Sequence, residues 1–149
     1  MNEVRSLIAG QRIVLVSQDL SVREAVRRMA DRHIGAVPVI DGERVTGIFT
    51  ERDVMARVVA AGRNPDRTAV AEVMTRDLVA AHPSDTCQDC LRLMTQAKVR
   101  HLLLLDEGRL VGIVSLRDLL SLDADEKRLA IRLLNAYVHD IPVTLSPES

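Results

Sequence analysis

The chain has 149 residues and sets 20 lysines and arginines against 21 aspartates and glutamates, a net charge of −1. That balance excludes the basic footprint of a dedicated nucleic-acid binder, and Phe49 and Tyr137, the only aromatic residues, offer no platform for stacked bases. Apolar residues make up 47% of the sequence, enough at this length to build a core without disulfides or metals.

The first ten residues carry Glu3 and Arg5 and no apolar h-region, and later apolar runs are only a few residues long. Neither a signal peptide nor a membrane span is expected. Cys87 and Cys90 then read as free thiols of a reducing compartment, which makes the cytoplasm the expected location. Val14-Leu15-Val16 predicts a short strand. Asp19 or Ser21 offers an N-cap to a helix with Val22, Ala25, Val26 and Met29 on its apolar stripe. Ala36–Ile40 and Arg44–Phe49 are β-rich runs joined by the hairpin signal Asp41-Gly42-Glu43. A helix opens at Thr50 and runs to about Ala61, with Gly62 as its stop. Asn64-Pro65 marks a linker.

The same order then returns. Displaced by 65 residues, Val14–Val54 lies over Val79–Leu119 without a gap, and nine of the 41 pairs are identical, among them Gly47/Gly112, Ile48/Ile113, Arg52/Arg117 and Asp53/Asp118. A one-residue slip brings Val4, Leu7 and Ile8 over Val70, Val73 and Met74. The organisation is therefore β-α-β-β-α twice, an α/β (α+β) class. Its boundaries are repeat 1 at 1–62, a linker at 63–68, repeat 2 at 69–122 and a C-terminal helix and tail at 123–149. Within that tail Asp125–His139 reads as a third helix with more apolar positions (Leu129, Ile131, Leu133, Leu134, Tyr137, Val138) than one stripe needs. It either packs on the second repeat or serves subunit contact. The residues after Pro142 read as frayed.

The strings HIGAVPVIDGERVTGIFTERDV and KVRHLLLLDEGRLVGIVSLRDLL, the second led in by AEVMT, resemble a tandem pair of cystathionine-β-synthase (CBS) domains over roughly Val4–Leu122. The resemblance implies two small units packed through their sheets about a pseudo-two-fold axis, with two clefts between them. It also implies an adenosine nucleotide or adenosyl compound (AMP, ADP, ATP, S-adenosylmethionine or NAD(H)) as regulatory ligand, and a homodimer. No cofactor is required, and a protein partner would be regulated in trans.

Each repeat ends in a tetrapeptide at a helix N-terminus, Thr50-Glu51-Arg52-Asp53 and Ser115-Leu116-Arg117-Asp118. Unpaired N–H groups there suit phosphate. By the resemblance, Asp53 and Asp118 hold ribose hydroxyls, Thr50 and Ser115 reach ribose or phosphate, and Arg52 and Arg117 add charge. The same four-residue pattern is a capping box that needs no ligand, and both readings stand. By the same resemblance, Val99, Arg100 and His101 complete the Thr50/Asp53 cleft, with Arg100 and His101 as its best cationic candidates and Thr75 at its entrance; His101, on a Leu-rich segment, also reads as a satisfied interior histidine. Ile34, Gly35 and Ala36 are expected to complete the Ser115/Asp118 cleft, where Ala9 replaces Thr75. The first cleft is thereby expected to bind phosphate more tightly.

Cys87-Gln88-Asp89-Cys90 spells C-x-x-C, but the repeat places both cysteines over core positions Val22 and Ala25, so they read as core residues. No P-loop, G-x-S-x-G or H-E-x-x-H is present, and no catalysis is expected. The expected function is a ligand sensor; the alternatives are a ligand-free dimeric scaffold and a thiol redox sensor.

Overall fold

In a computed structural model describing residues 3–140, and of 137–140 the backbone alone, the β-α-β-β-α order appears twice. Repeat 1 holds β1 (Val16–Ser17), α2 (Val22–Asp31), β2 (Ala36–Asp41) and β3 (Arg44–Thr50), and ends in α3 (Glu51–Asp53) followed by a π-helical turn (Val54–Val59). Repeat 2 holds β4 (Ala80–Ala81), α5 (Cys87–Ala97), β5 (His101–Asp106), β6 (Arg109–Ser115) and α6 (Leu116–Asp140). Each repeat has one three-stranded sheet in which a short parallel strand joins an antiparallel hairpin. The hairpins share even their irregularity, a register shift at Val39/Ile40 and again at Leu104/Leu105.

Two short helices lead into the repeats, α1 (Arg5–Ile8) and α4 (Val70–Val73), and each packs on the other repeat. Val4 N–H donates to the Asp85 carbonyl at 2.9 Å, and Val4, Leu7 and Ile8 join Cys87, Cys90, Leu102 and Leu119 in the second core. Conversely, Val70 N–H donates to the Leu20 carbonyl at 2.9 Å, and Val70, Val73 and Met74 join Phe49, Val37 and Met29 in the first core. The divisions at residues 62 and 69 thus follow the repeat in sequence, whereas the cores exchange their leading segments. This exchange explains the glycine that opens each G-I pair. A Cβ on Gly47 would lie 2.7 Å from Met74 Sδ and 2.8 Å from the Thr75 carbonyl, and one on Gly112 would overlap Ile8.

Two expected boundaries are corrected and the choice between two expected caps is resolved. The first strand is Val16–Ser17 and not Val14–Val16, because parallel pairing with β2 covers only Val16 and Ser17, and Leu15 is exposed. Ser21, not Asp19, caps α2, its hydroxyl accepting from Glu24 N–H at 3.2 Å. The helix expected from Thr50 to Ala61 widens after Asp53 into i to i−5 bonding, Ala60 N–H to the Met55 carbonyl at 2.9 Å.

The separate helix expected at 125–139 is the continuation of α6, which runs 25 residues without a break. Its counterpart in repeat 1 stops at Gly62, which takes φ +71°. Lys127 stands at the corresponding position of repeat 2 and carries no such break. From residue 127 to 136 every α6 side chain is exposed, so packing on the second repeat does not account for this stretch. The expected frayed tail beyond Pro142 lies outside the described residues. Among the described residues no helix is long and apolar enough to cross a membrane.

Both cysteines are buried and unpaired, as the repeat placed them. Cys87 Sγ donates to the Leu119 carbonyl at 3.1 Å. Burial pushes the Cys90 thiol up to about 11 and raises Cys87 as well, so neither forms a thiolate near neutrality. A thiol reagent at pH 8 is expected to label neither cysteine in the folded protein and both in urea. Rapid labelling of the native chain would restore the redox reading.

Candidate functional site

The hairpin β2–β3 delivers Thr50 to the mouth of a cavity of about 410 Å³, and the start of β5 forms its opposite wall. Thr50, Arg52, Asp53, Thr75, Val99, Arg100 and His101, the full set expected for the first cleft, all line it. The cavity therefore joins the end of repeat 1 to the start of β5 in repeat 2. Between the polar groups the wall is apolar, with Ile48, Met55, Leu78 and Val79.

Asp53 is the most constrained member, at 4% exposure. Its Oδ2 accepts from Thr50 N–H at 3.0 Å and from the Thr50 hydroxyl at 3.2 Å, while Asp53 N–H donates back to Thr50 Oγ1 at 3.3 Å. This is a complete capping box. The other oxygen, Oδ1, accepts from the Thr75 hydroxyl at 2.9 Å and faces Arg57 Nε at 3.8 Å. Arg57 also donates to the Val73 and Met74 carbonyls at 3.3 and 2.9 Å, satisfying the C-terminal end of α4. One carboxylate thus ties together the helix start, the π-helical turn and the entrance to repeat 2.

The second tetrapeptide is built differently. Ser115 and Asp118 exchange the same two backbone bonds, at 2.9 and 3.1 Å, but Asp118 is exposed. Where Thr75 pairs with Ile48 by backbone bonds of 2.9 Å in both directions, the side-chain amide of Gln11 takes that place against Ile113, donating at 2.9 Å and accepting at 3.1 Å. Ala9 contributes no hydroxyl, as expected. Gly35 sits against the Glu51 carboxylate, and its carbonyl accepts from Glu51 N–H at 2.9 Å. Ile34 packs on the first core and Ala36 is buried as the first residue of β2. Arg117 is exposed.

His101 lies between the two halves, under the influence of Glu51 in one repeat and Asp118 in the other. Burial lowers its pKa from the ordinary value, the two carboxylates oppose that shift, and Arg100 adds to it. The lowered pKa favours the neutral ring, in line with the interior-histidine reading over the cationic one, and leaves Arg100 as the cation of this segment. Lys98, Asp77 and Glu51 also line the cavity and were missed. Lys98 occupies a left-handed position (φ +57°) at the end of α5, as His33 does after α2 (φ +54°), so the repeat register was the signal that locates it. Among the described residues no cluster of three or more His, Cys, Asp or Glu is placed to hold a metal ion.

A family model described as CBS domain matches residues 4–60 and 70–125. A CBS domain-containing protein of Bacillus subtilis, YhcV, is 36% identical over 119 residues, covering 80% of this chain and 84% of that protein. Among solved structures, a protein with CBS domains from Burkholderia ambifaria MC40-6 is 31% identical with a TM-score of 0.76, over 97% of this chain and 100% of the other. The CBS domain pair of protein MJ0100 shares the fold at a TM-score of 0.75 and 22% identity, over 84% of this chain and 98% of the other.

Proposed function

We propose that this chain, which belongs to the CBS-domain family and carries that family's regulatory pair of domains, senses an adenosine-containing ligand in the cavity between Thr50–Asp53 and Val99–His101. The observation that carries the reading is that cavity: one apolar slot with a helix N-terminus on one side and Arg100 and Lys98 on the other. The fold neighbour MJ0100 is a complex with 5′-methylthioadenosine and S-adenosyl-L-methionine, which supports an adenosyl group as the shared element. Adenine fits between the apolar walls, ribose lies toward Thr50 and Asp53, and phosphate toward Arg100, Arg52 and Lys98. Asp53 accepts ribose hydroxyls by releasing the Thr75 hydroxyl, so occupancy bears directly on the entrance to repeat 2. Ligand that binds the released arrangement more tightly shifts the population toward it.

The module is proposed to act as a homodimer on a protein partner in trans, in the cytoplasm, without catalysis of its own. Support for self-association comes from exposed apolar residues at corresponding places in the two repeats, Met55 and Val59 after α3 and Leu120 in α6. They continue into Leu129, Ile131, Leu133 and Leu134, the last two 62% exposed. Light scattering is expected to give twice 16.5 kDa. A monomer at tens of micromolar would remove this route of signal output.

The ligand test is thermal. At about 100 times Kd, linkage contributes about 2.7 kcal/mol, a rise of several degrees in Tm for a domain of this size. A rise with at least one of AMP, ADP, ATP, S-adenosylmethionine or NAD(H) supports the sensor. No rise with any of them at millimolar concentration overturns it in favour of a ligand-free scaffold.

A further inference from the structure

The start of α5 covers the start of α6: Cys87 Sγ reaches the Leu119 carbonyl, and the Gln88 amide donates to Asp123 at 2.9 Å. The side of α6 turned to this core is a stripe of Leu119, Leu122, Glu126, Leu129 and Leu133, at alternating spacings of three and four residues. Leu119 is buried and Leu122 half-buried, but Leu129 and Leu133 are exposed, because the stripe outruns its own repeat. A second stripe runs along the opposite side. Leu120, Ala124, Lys127, Ile131 and Leu134 alternate spacings of four and three, the pattern of a coiled-coil seam, and Ile131 stands about 200° around the helix from Leu129. Leu120, Ile131 and Leu134 are exposed as well. A helix on a domain surface needs one apolar stripe; the stretch 127–136, here the arm, carries two on opposite sides and calls for cover on both.

Charge divides α6 too. Asp118, Asp123, Asp125 and Glu126 stand in its first part against the single cation Arg117, whereas Lys127, Arg128 and Arg132 follow and the sequence has no carboxylate from 127 to 139. Two such helices laid parallel oppose like charges. Laid antiparallel, the basic part of each meets the acidic part of the other. An antiparallel register centred on residue 129 also sets Leu134 on the partner's Ala124, large against small, and turns Arg132 toward the partner's Asp125.

We infer that the arms of two copies of this chain pair antiparallel across a two-fold axis, each arm held between the partner's arm on its Ile131–Leu134 side and the partner's body on its Leu129–Leu133 side. The inference rests on the homodimer proposed above and gives it an orientation. A two-fold contact presents the same stripe from both copies, so a seam of this kind is its own complement. Leu120 belongs both to the seam and to the exposed apolar set that supports self-association, so the arm continues that surface.

The test is sedimentation equilibrium of the full chain carrying Ile131→Asp or Leu133→Asp, both at exposed positions that leave the cores untouched. Each is expected to weaken the dimer at least tenfold. A dimer indifferent to both but weakened by Val59→Asp overturns the inference, leaves the homodimer standing and assigns the arm to a different partner, another protein or a membrane surface. A monomeric wild type refutes the homodimer itself. Orientation is read with a short bis-maleimide cross-linker at pH 7, to which the buried Cys87 and Cys90 are closed. The double variant Ala124→Cys/Leu134→Cys is expected to give a covalent dimer and Leu134→Cys alone none. A covalent dimer from Leu134→Cys alone, the mark of parallel arms, or none from the double variant, overturns the assignment.

Discussion

Val4→Asp is expected to destabilise the chain by about 3–5 kcal/mol, and to do so through the second repeat. Val4 is fully buried among Cys87, Cys90, Leu102 and Leu119, although in sequence it belongs to the first repeat. A carboxylate there has no partner, and an uncompensated buried charge costs several kcal/mol against a total stability of about 5–15 kcal/mol. Urea denaturation gives the magnitude and amide hydrogen exchange gives the place: protection is expected to fall first in β5 and β6. If protection falls first in β2 and β3 instead, the exchange of leading segments between the cores is wrong.

The second large effect separates the two aspartates. Asp53→Ala removes a capping box worth about 1 kcal/mol together with the tie to Thr75, whose hydroxyl then loses its charged acceptor, for a total of about 2–4 kcal/mol. Asp118→Ala removes the cap alone, about 1 kcal/mol, because that carboxylate is exposed and has no counterpart of Thr75. Equal losses in thermal or urea unfolding would contradict the asymmetry of the clefts.

The parts of this molecule that could be read from the sequence are those that local chemistry and repetition encode. Asp41-Gly42 and Glu107-Gly108 take the positive φ their turns demand, except that Asp41 itself remains in β2, and the hairpins follow with the same register shift. The first cleft was legible because the strings that carry it resemble a known family, and the cavity brings all seven together.

What stayed hidden depends on relations across the chain. An apolar Val4 or Val70 announces burial without saying which sheet it will cover. A π-helical turn after Asp53 leaves no pattern that separates it from an α-helix over six residues. Arg57 acts on Asp53 and on carbonyls 16 and 17 residues away, which no spacing reveals. Gln11 replaces a backbone pairing with a side-chain amide, an exchange that only the folded arrangement displays. His101 read both as a cation and as an interior histidine, because the residue type allows either and only its burial in the fold favours the neutral form.

Calorimetric titration of AMP into the wild-type chain and into Arg100→Ala tests the central claim most directly. Arg100 is exposed and projects from the cavity wall, so its removal leaves the cores intact. A saturable isotherm for the wild type, weakened about 10- to 100-fold by the substitution, is the predicted result, since a lost hydrogen bond to a charged group costs about 1.5–3 kcal/mol. An isotherm unchanged by the substitution, or no binding by the wild type of AMP or of any of the other four ligands, would contradict it.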